Sequence, residues 1–193
     1  PVTLELGGVN PALVLQGADI EVTARRLIWG KSINCGQTCL APNHLLVEES
    51  IKESLIKHMK KAIQDFYGKD PLKSKSLGKV NPIQFERLKS SLKSANLQKQ
   101  VIVGGEVDDK EKRIEPTLIN VSSINESLIK EELFGPILPI KSINKLEDAL
   151  LEIREQPKPL AIYMFGGTEA QKQSLLNTTS SGSVCFNDVI IQA

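Results

Sequence analysis

Three short stretches carry side chains suited to covalent or acid–base chemistry. In Asn34-Cys35-Gly36-Gln37-Thr38-Cys39-Leu40-Ala41-Pro42, two thiols lie four residues apart among small and polar neighbours. A free cysteine is ordinarily a small buried hydrophobe. A nucleophilic one needs partial access, backbone donors and something that favours the thiolate, and a neighbouring glycine lets backbone approach closely. The second stretch, Leu4-Glu5-Leu6-Gly7-Gly8-Val9-Asn10-Pro11, sets a carboxylate at a strand end beside paired glycines. Strand ends are where α/β folds line their clefts; the plain alternative is a surface glutamate before a turn. The third, Lys130-Glu131-Glu132-Leu133-Phe134-Gly135-Pro136, reads on its own as a helix start or turn, with Gly135-Pro136 as punctuation and Phe134 in the core.

Other chemistries lack their residues. No glycine-rich phosphate cradle and no serine-nucleophile elbow occurs. His44 and His58 are isolated, and Cys35 and Cys39 have no histidine nearby, which falls short of the three or four ligands a metal needs. With 24 lysines and arginines against 23 aspartates and glutamates, the chain has no basic excess to displace counterions from nucleic acid. Aromatics at 4% leave few platforms for stacking bases. No apolar run reaches the length of a membrane span, and no secretory leader opens the chain. Three cysteines in 193 residues do not make a disulfide framework, so a reducing, intracellular setting is the default, cytoplasmic if nothing redirects it. Pro1-Val2-Thr3-Leu4-Glu5-Leu6 reads as starting in mid-strand and Val189-Ile190-Ile191-Gln192-Ala193 as an apolar end, so the chain is expected to be a piece of a longer protein.

The elements that must position these residues alternate between two periodicities. Leu13–Leu15, Leu45–Val47, Val101–Val103, Ile137–Ile143, Leu160–Phe165 and Ser183–Phe186 read as strands. Helices are expected behind Asp19, with Ile20, Ala24, Leu27 and Ile28 on one face, and behind Asn81-Pro82, with Phe85, Leu88, Leu92 and Ala95 inward. Leu146–Ile153 and Thr168–Leu176 add two more. Ser50 and Glu53 have capping-box spacing ahead of a helix bearing Ile51, Leu55, Met59, Ile63 and Phe66, ended by Gly68. Lys69–Lys79 is a polar loop, and Asp108–Arg113, charged throughout, a solvated one. Strands alternating with helices predict an α/β domain with a largely parallel sheet.

Taken together and in this order, the three stretches resemble the aldehyde dehydrogenase superfamily. The match runs over its catalytic domain, from Val2 to about Gln192. Trp29-Gly30-Lys31, Phe66-Tyr67-Gly68, Lys158-Pro159-Leu160-Ala161-Ile162-Tyr163, Ser180-Ser181-Gly182 and Asn187-Asp188-Val189-Ile190 look most like its class 3, fatty-aldehyde-type branch. The resemblance implies a three-layered α/β/α sandwich and residues 1–193 as one catalytic domain. It implies that Cys39 is the nucleophile and Glu5 the general base that activates water. It further implies that Glu132 holds the nicotinamide ribose, Phe134 packs nearby and the backbone around Leu6 meets the nicotinamide amide. The expected cofactor is NAD or NADP, bound mainly by a domain outside this chain, with no metal. The expected substrate is an aldehyde of medium or long chain, the parent a homo-oligomer, and a tail beyond Ala193 the route to any membrane association.

The sequence departs from the family pattern at Val9, where lysine is usual, at Asn43-His44, usually acidic and aromatic, and at Gln192, usually histidine in class 3. Cys35 reads as a neighbour of Cys39 rather than a participant, with a disulfide to an oxidised Cys39 as its one redox role. Without a bound hydride acceptor, the chain alone is expected not to turn over aldehydes. Two rivals remain. One is an acyl-phosphate or acyl-thioester reductase, which needs no water-activating base; the other is a non-catalytic module of the same fold.

Overall fold

Strands buried on both faces of a parallel sheet must be apolar at successive positions, and this chain supplies such runs. The computed structural model describes residues 2, 6–94, 99–123 and 127–192. Within them lie nine strands: β1 (Pro11–Val14), β2 (His44–Glu48), β3 (Val101–Val103), β4 (Val107–Asp108), β5 (Arg113–Ile114), β6 (Thr117–Val121), β7 (Ile137–Ile143), β8 (Ala161–Phe165) and β9 (Ser183–Phe186). The helices are α1 (Ile20–Ser32), α2 (Glu49–Tyr67), α3 (Pro82–Lys93), the single turn α4 (Ser127–Lys130), α5 (Leu146–Glu155) and α6 (Glu169–Thr178). Seven strands form one sheet in the order β3-β6-β7-β2-β1-β8-β9, and only β3 runs antiparallel to its neighbour. A separate hairpin pairs β4 with β5.

Alternation along each strand sorts the core into two faces. Ala12, Val14, Leu45, Val47, Tyr163 and Phe165 pack with α1 and α2 through Ala24, Leu27, Leu55 and Met59. Leu13, Leu46, Ile162 and Met164 point the other way, against α5 and α6. Towards the other end of the sheet, Ile119, Val121 and Ile137 pack with Phe85, Leu88 and Leu92 of α3. The result is the expected layering of helices on both faces of a mostly parallel sheet.

Local chemistry explains the boundaries, and in places corrects the sequence reading. Asp19 accepts from the Val22 amide and starts α1, and Asn81 accepts from the Ile83 amide and starts α3. The capping box expected at Ser50 does not form. β2 runs straight into α2, so the helix opens at Glu49, and Ser50 Oγ instead accepts from the Gln16 side chain at 3.1 Å. A reciprocal box forms at Thr168 and Gln171. β6 was not foreseen, because Thr117 and Asn120 break its apolar run. The charged stretch 108–113 closes the β4–β5 hairpin, and its side chains pair with α3 (Lys89–Asp109, Glu86–Lys112) and with Lys79 (Glu111). Ala95 lies outside the described residues.

One buried polar group makes stability depend on pH. His44 is 2% exposed at the head of β2, and its Nδ1 has no partner among the described residues. Burial, with the nearby charges of Lys31 and Lys141, pushes its pKa down to about 3. Between the ordinary value near 6.5 and about 3, the unfolded chain binds the extra proton, so stability falls as pH drops through that window. For the wild type relative to His44→Gln, we expect urea-unfolding free energies to be parallel above pH 7. Below it, the wild type loses up to about 1.4 kcal/mol per pH unit relative to the variant; parallel curves down to pH 4 would show that His44 is not held neutral.

Candidate active site

The cysteine loop begins where α1 ends. A 3₁₀ turn, Ile33–Gly36, puts Asn34 (φ 48°), Cys35 (φ 56°) and Gly36 (φ 73°) in the left-handed region in succession. Non-glycine residues adopt this region at a cost, so other contacts must hold it. The Asn34 amide donates to the Gln37 carbonyl at 3.0 Å, and the Gln37 side chain returns a bond to the Asn34 carbonyl at 2.9 Å. Gln37 also bonds the Lys79 carbonyl and the Asn81 amide, tying the loop to the start of α3.

Cys39 then occupies the first central position of a β-turn closed by the Ala41 amide on the Thr38 carbonyl at 2.9 Å. The residue is half-buried and its thiol is free. Asn10, fully buried just before β1, donates its amide to the Cys39 carbonyl at 2.7 Å and to the Ala41 carbonyl at 3.2 Å. Tyr163 of β8 donates its hydroxyl to the Leu40 carbonyl at 2.6 Å.

The Glu132 segment leads into β7 and is held from three sides. Asn43 donates to the Glu131 carbonyl at 3.0 Å and accepts from the Leu133 amide at 2.9 Å. Arg87 of α3 reaches the Glu132 and Leu133 carbonyls at 3.1 and 2.6 Å. Leu133 is buried beside α3 in the Cys35 cluster, while Phe134 turns through a left-handed φ of 50° and stays half-buried. The Glu132 carboxylate accepts from the Gly8 amide at 3.2 Å, and a methyl group on Gly7 would strike its other oxygen. Lys31, in the last turn of α1, is buried in the same region. Burial pushes its pKa down to about 7, and the Glu132 charge opposes that shift.

Two contacts bring the cysteine loop and the Glu132 segment to one place. Gly36 packs so closely on the Gly135 carbonyl that a Cβ would overlap it. The Asn43 main-chain N–H donates to the Asn10 main-chain carbonyl at 2.8 Å. Gly8–Asn10, the cysteine turn and 131–136 all precede strands, so the cluster sits at the amino-terminal edge of β1, β2 and β7. The strand expected to end at Glu5 lies outside the described residues, and residues 6–10 that follow it form no strand. Glu5 lies outside the described residues, and Leu6 is exposed. Cys35 is buried against Gly78 and packs with Val80, Phe85 and Leu88, in surroundings that push its thiol pKa up. Two surface grooves of about 340 and 360 Å³ flank β3, a third of about 340 Å³ lies between β7 and α5, and none of them includes Cys39 or Glu132. Among the described residues, no three His, Cys, Asp or Glu side chains gather as a metal set. Sequence reasoning passed over Asn10, Asn43, Arg87 and Tyr163; Asn10-Pro11 and Pro42-Asn43, polar residues at the mouths of apolar strands, were the available signal.

The fold is that of one enzyme family, and the chain belongs to it: the aldehyde dehydrogenase family model matches residues 1–193. The 4,4'-diaponeurosporen-aldehyde dehydrogenase of Staphylococcus aureus is 41% identical over 192 residues, which cover 99% of this chain and 41% of that protein. Aldehyde dehydrogenase family 3 member A2 of Mus musculus is 38% identical over 192 residues, 99% of this chain and 39% of its own. That likeness agrees with the class 3 resemblance. A substrate-bound state of Staphylococcus aureus AldH superposes with a TM-score of 0.94 at 39% identity, over all of this chain and 42% of that one. The chain thus spans about two fifths of the length of these relatives.

Gly36 is where the two loops meet, so Gly36→Ala should separate them. Its positive φ and the collision with the Gly135 carbonyl together predict a loss of about 2–4 kcal/mol in chemical denaturation. A loss under about 0.5 kcal/mol would mean that the contact does not hold the loops together.

Proposed function

We propose that the protein oxidises aldehydes to carboxylic acids, with Cys39 as nucleophile, Glu5 as general base and NAD or NADP as cofactor. The observation that carries this reading is the half-buried Cys39 thiol, set in a braced turn at the same sheet edge as the Glu132 carboxylate. The residues present fit the cofactor. A carboxylate accepts hydrogen bonds, as a ribose diol requires, and Glu132 is braced by the Gly8 amide against Gly7, where any side chain would displace it. Glu132 would hold the ribose, Phe134 would pack beside it, and the Leu6 backbone would meet the nicotinamide amide.

Cys39 Sγ attacks the aldehyde carbonyl carbon, forming a C–S bond and an oxyanion that the Cys39 backbone amide helps to hold. A nicotinamide held by Glu132 would supply the two-electron acceptor there, and loss of hydride from the thiohemiacetal carbon leaves a thioester on Cys39. Glu5 takes a proton from water as the water oxygen attacks the thioester carbonyl; the C–S bond breaks, releasing acid and thiolate. In this reading residues 1–193 act as the catalytic domain, the substrate is a medium- or long-chain aldehyde, and the protein works as an intracellular homo-oligomer.

The test uses the full-length protein. Cys39→Ser should abolish NAD(P)-dependent aldehyde oxidation, and retained turnover would overturn the reading. Glu132→Gln should raise the KM for the nicotinamide cofactor by roughly tenfold while leaving iodoacetamide alkylation of Cys39 unchanged. An unchanged KM would remove Glu132 from the cofactor site.

A further inference from the structure

The turn that carries Cys39 has every one of its four carbonyl oxygens captured. Thr38 is taken by the Ala41 amide at 2.9 Å, Cys39 by Asn10 at 2.7 Å, Leu40 by Tyr163 at 2.6 Å and Ala41 by Asn10 at 3.2 Å. Three of these four bonds come from two side chains, Asn10 just before β1 and Tyr163 within β8. A β-turn by itself needs only the first bond, so the other three do something that closing the turn does not require.

Asn10 is fully committed to this arrangement. Its two amide hydrogens serve two carbonyls of the turn, and its Oδ1 accepts from the Ala161 amide at 3.0 Å, at the start of β8. Tyr163 is equally constrained. Gln192 Nε2 lies 3.2 Å from its oxygen and can only donate there, which leaves the phenolic proton for Leu40. Burial pushes the Tyr163 pKa above its ordinary value, so the proton stays on the oxygen at neutral pH. Carbonyl oxygens are the negative ends of peptide dipoles, and a thiolate or an oxyanion at Cys39 is repelled by any that swing towards it. Tying the oxygens to donors fixes the peptide planes and prevents that swing.

We propose that Asn10 and Tyr163 are positioning residues for Cys39, acting as a clamp from the mouth of β1 and from β8 that sets the peptide planes of residues 38–41 for nucleophilic attack. The proposal rests on reading Cys39 as the nucleophile. Neither residue touches the substrate in it; each acts through the backbone of the turn.

Tyr163→Phe removes one hydroxyl with almost no change in shape, and Asn10→Ser keeps a single donor in place of two. Both are made in the full-length protein beside Cys39→Ser. Three quantities are read: steady-state kinetics with an aldehyde and NAD+, iodoacetamide alkylation of each cysteine located by peptide mass spectrometry, and thermal unfolding. A displacement of about 1 Å can cost some hundredfold in rate, so we expect kcat to fall about 10-fold in Tyr163→Phe and 10- to 100-fold in Asn10→Ser. KM for the aldehyde should stay within about twofold. Alkylation of Cys39 should slow in step with kcat, while Cys35 and Cys185, both buried, remain as protected as in the wild type.

Two results overturn the clamp while leaving the nucleophile in place: wild-type kcat and Cys39 alkylation in both variants, or loss of activity together with new reactivity at Cys35 and Cys185, which marks general loosening. Turnover by Cys39→Ser removes the nucleophile, and the clamp with it. Should Asn10→Ser fail to fold, Tyr163→Phe decides alone.

Discussion

A buried amide side chain must have its donors and acceptors met, and two such groups organise this molecule. Asn10 and Asn43 are 0% and 3% exposed. Between them they bond the cysteine turn, the start of β8 and the backbone on both sides of Glu132, and a main-chain bond links one to the other. Leaving one buried polar group unpaired costs about 1–3 kcal/mol, so these contacts hold or fail together. The segments they join come from opposite ends of the sequence, and this sheet edge is where all of them can meet.

Glycines complete what the asparagines begin. Gly36 and Gly135 let two loops touch backbone to backbone, and Gly7 leaves room for a carboxylate. Lys31 adds a cation in the same region, buried so deeply that its charge is lost near neutral pH. For this group the unfolded chain holds the proton up to about 10.5, so its burial weighs most on stability below pH 7 and is relieved as pH rises.

Much of the scaffold could be read from local pattern. The four-residue steps of Leu55, Met59 and Ile63 gave α2, and Asp19 and Asn81 marked helix starts that the structure keeps. β6 escaped because Thr117 and Asn120 spoil its periodicity, although its register against β7 makes it an interior strand. The site was less legible from residue chemistry alone, which left Cys39 close to an ordinary buried thiol and Glu132 to an ordinary turn. It took their order along the chain, seen as a family resemblance, to join them. Asn10 and Asn43 stayed hidden for a physical reason: their partners lie 29 to 151 and 88 to 90 residues away, so no local window contains the bonds that explain them.

The amino-terminal placement of the cluster divides the domain into two halves with separate obligations. Strands of four to seven residues put roughly 13–23 Å between one edge of the sheet and the other. At the carboxyl edge, Gln16-Gly17 and Asn144-Lys145 are exposed connections. Changes in length or charge there fall a full strand length from the braced cluster at the opposite rim. A lineage built on this sheet can therefore refashion its outer surface, and with it its company in the cell, while the Cys39 turn and the Glu132 segment keep their places.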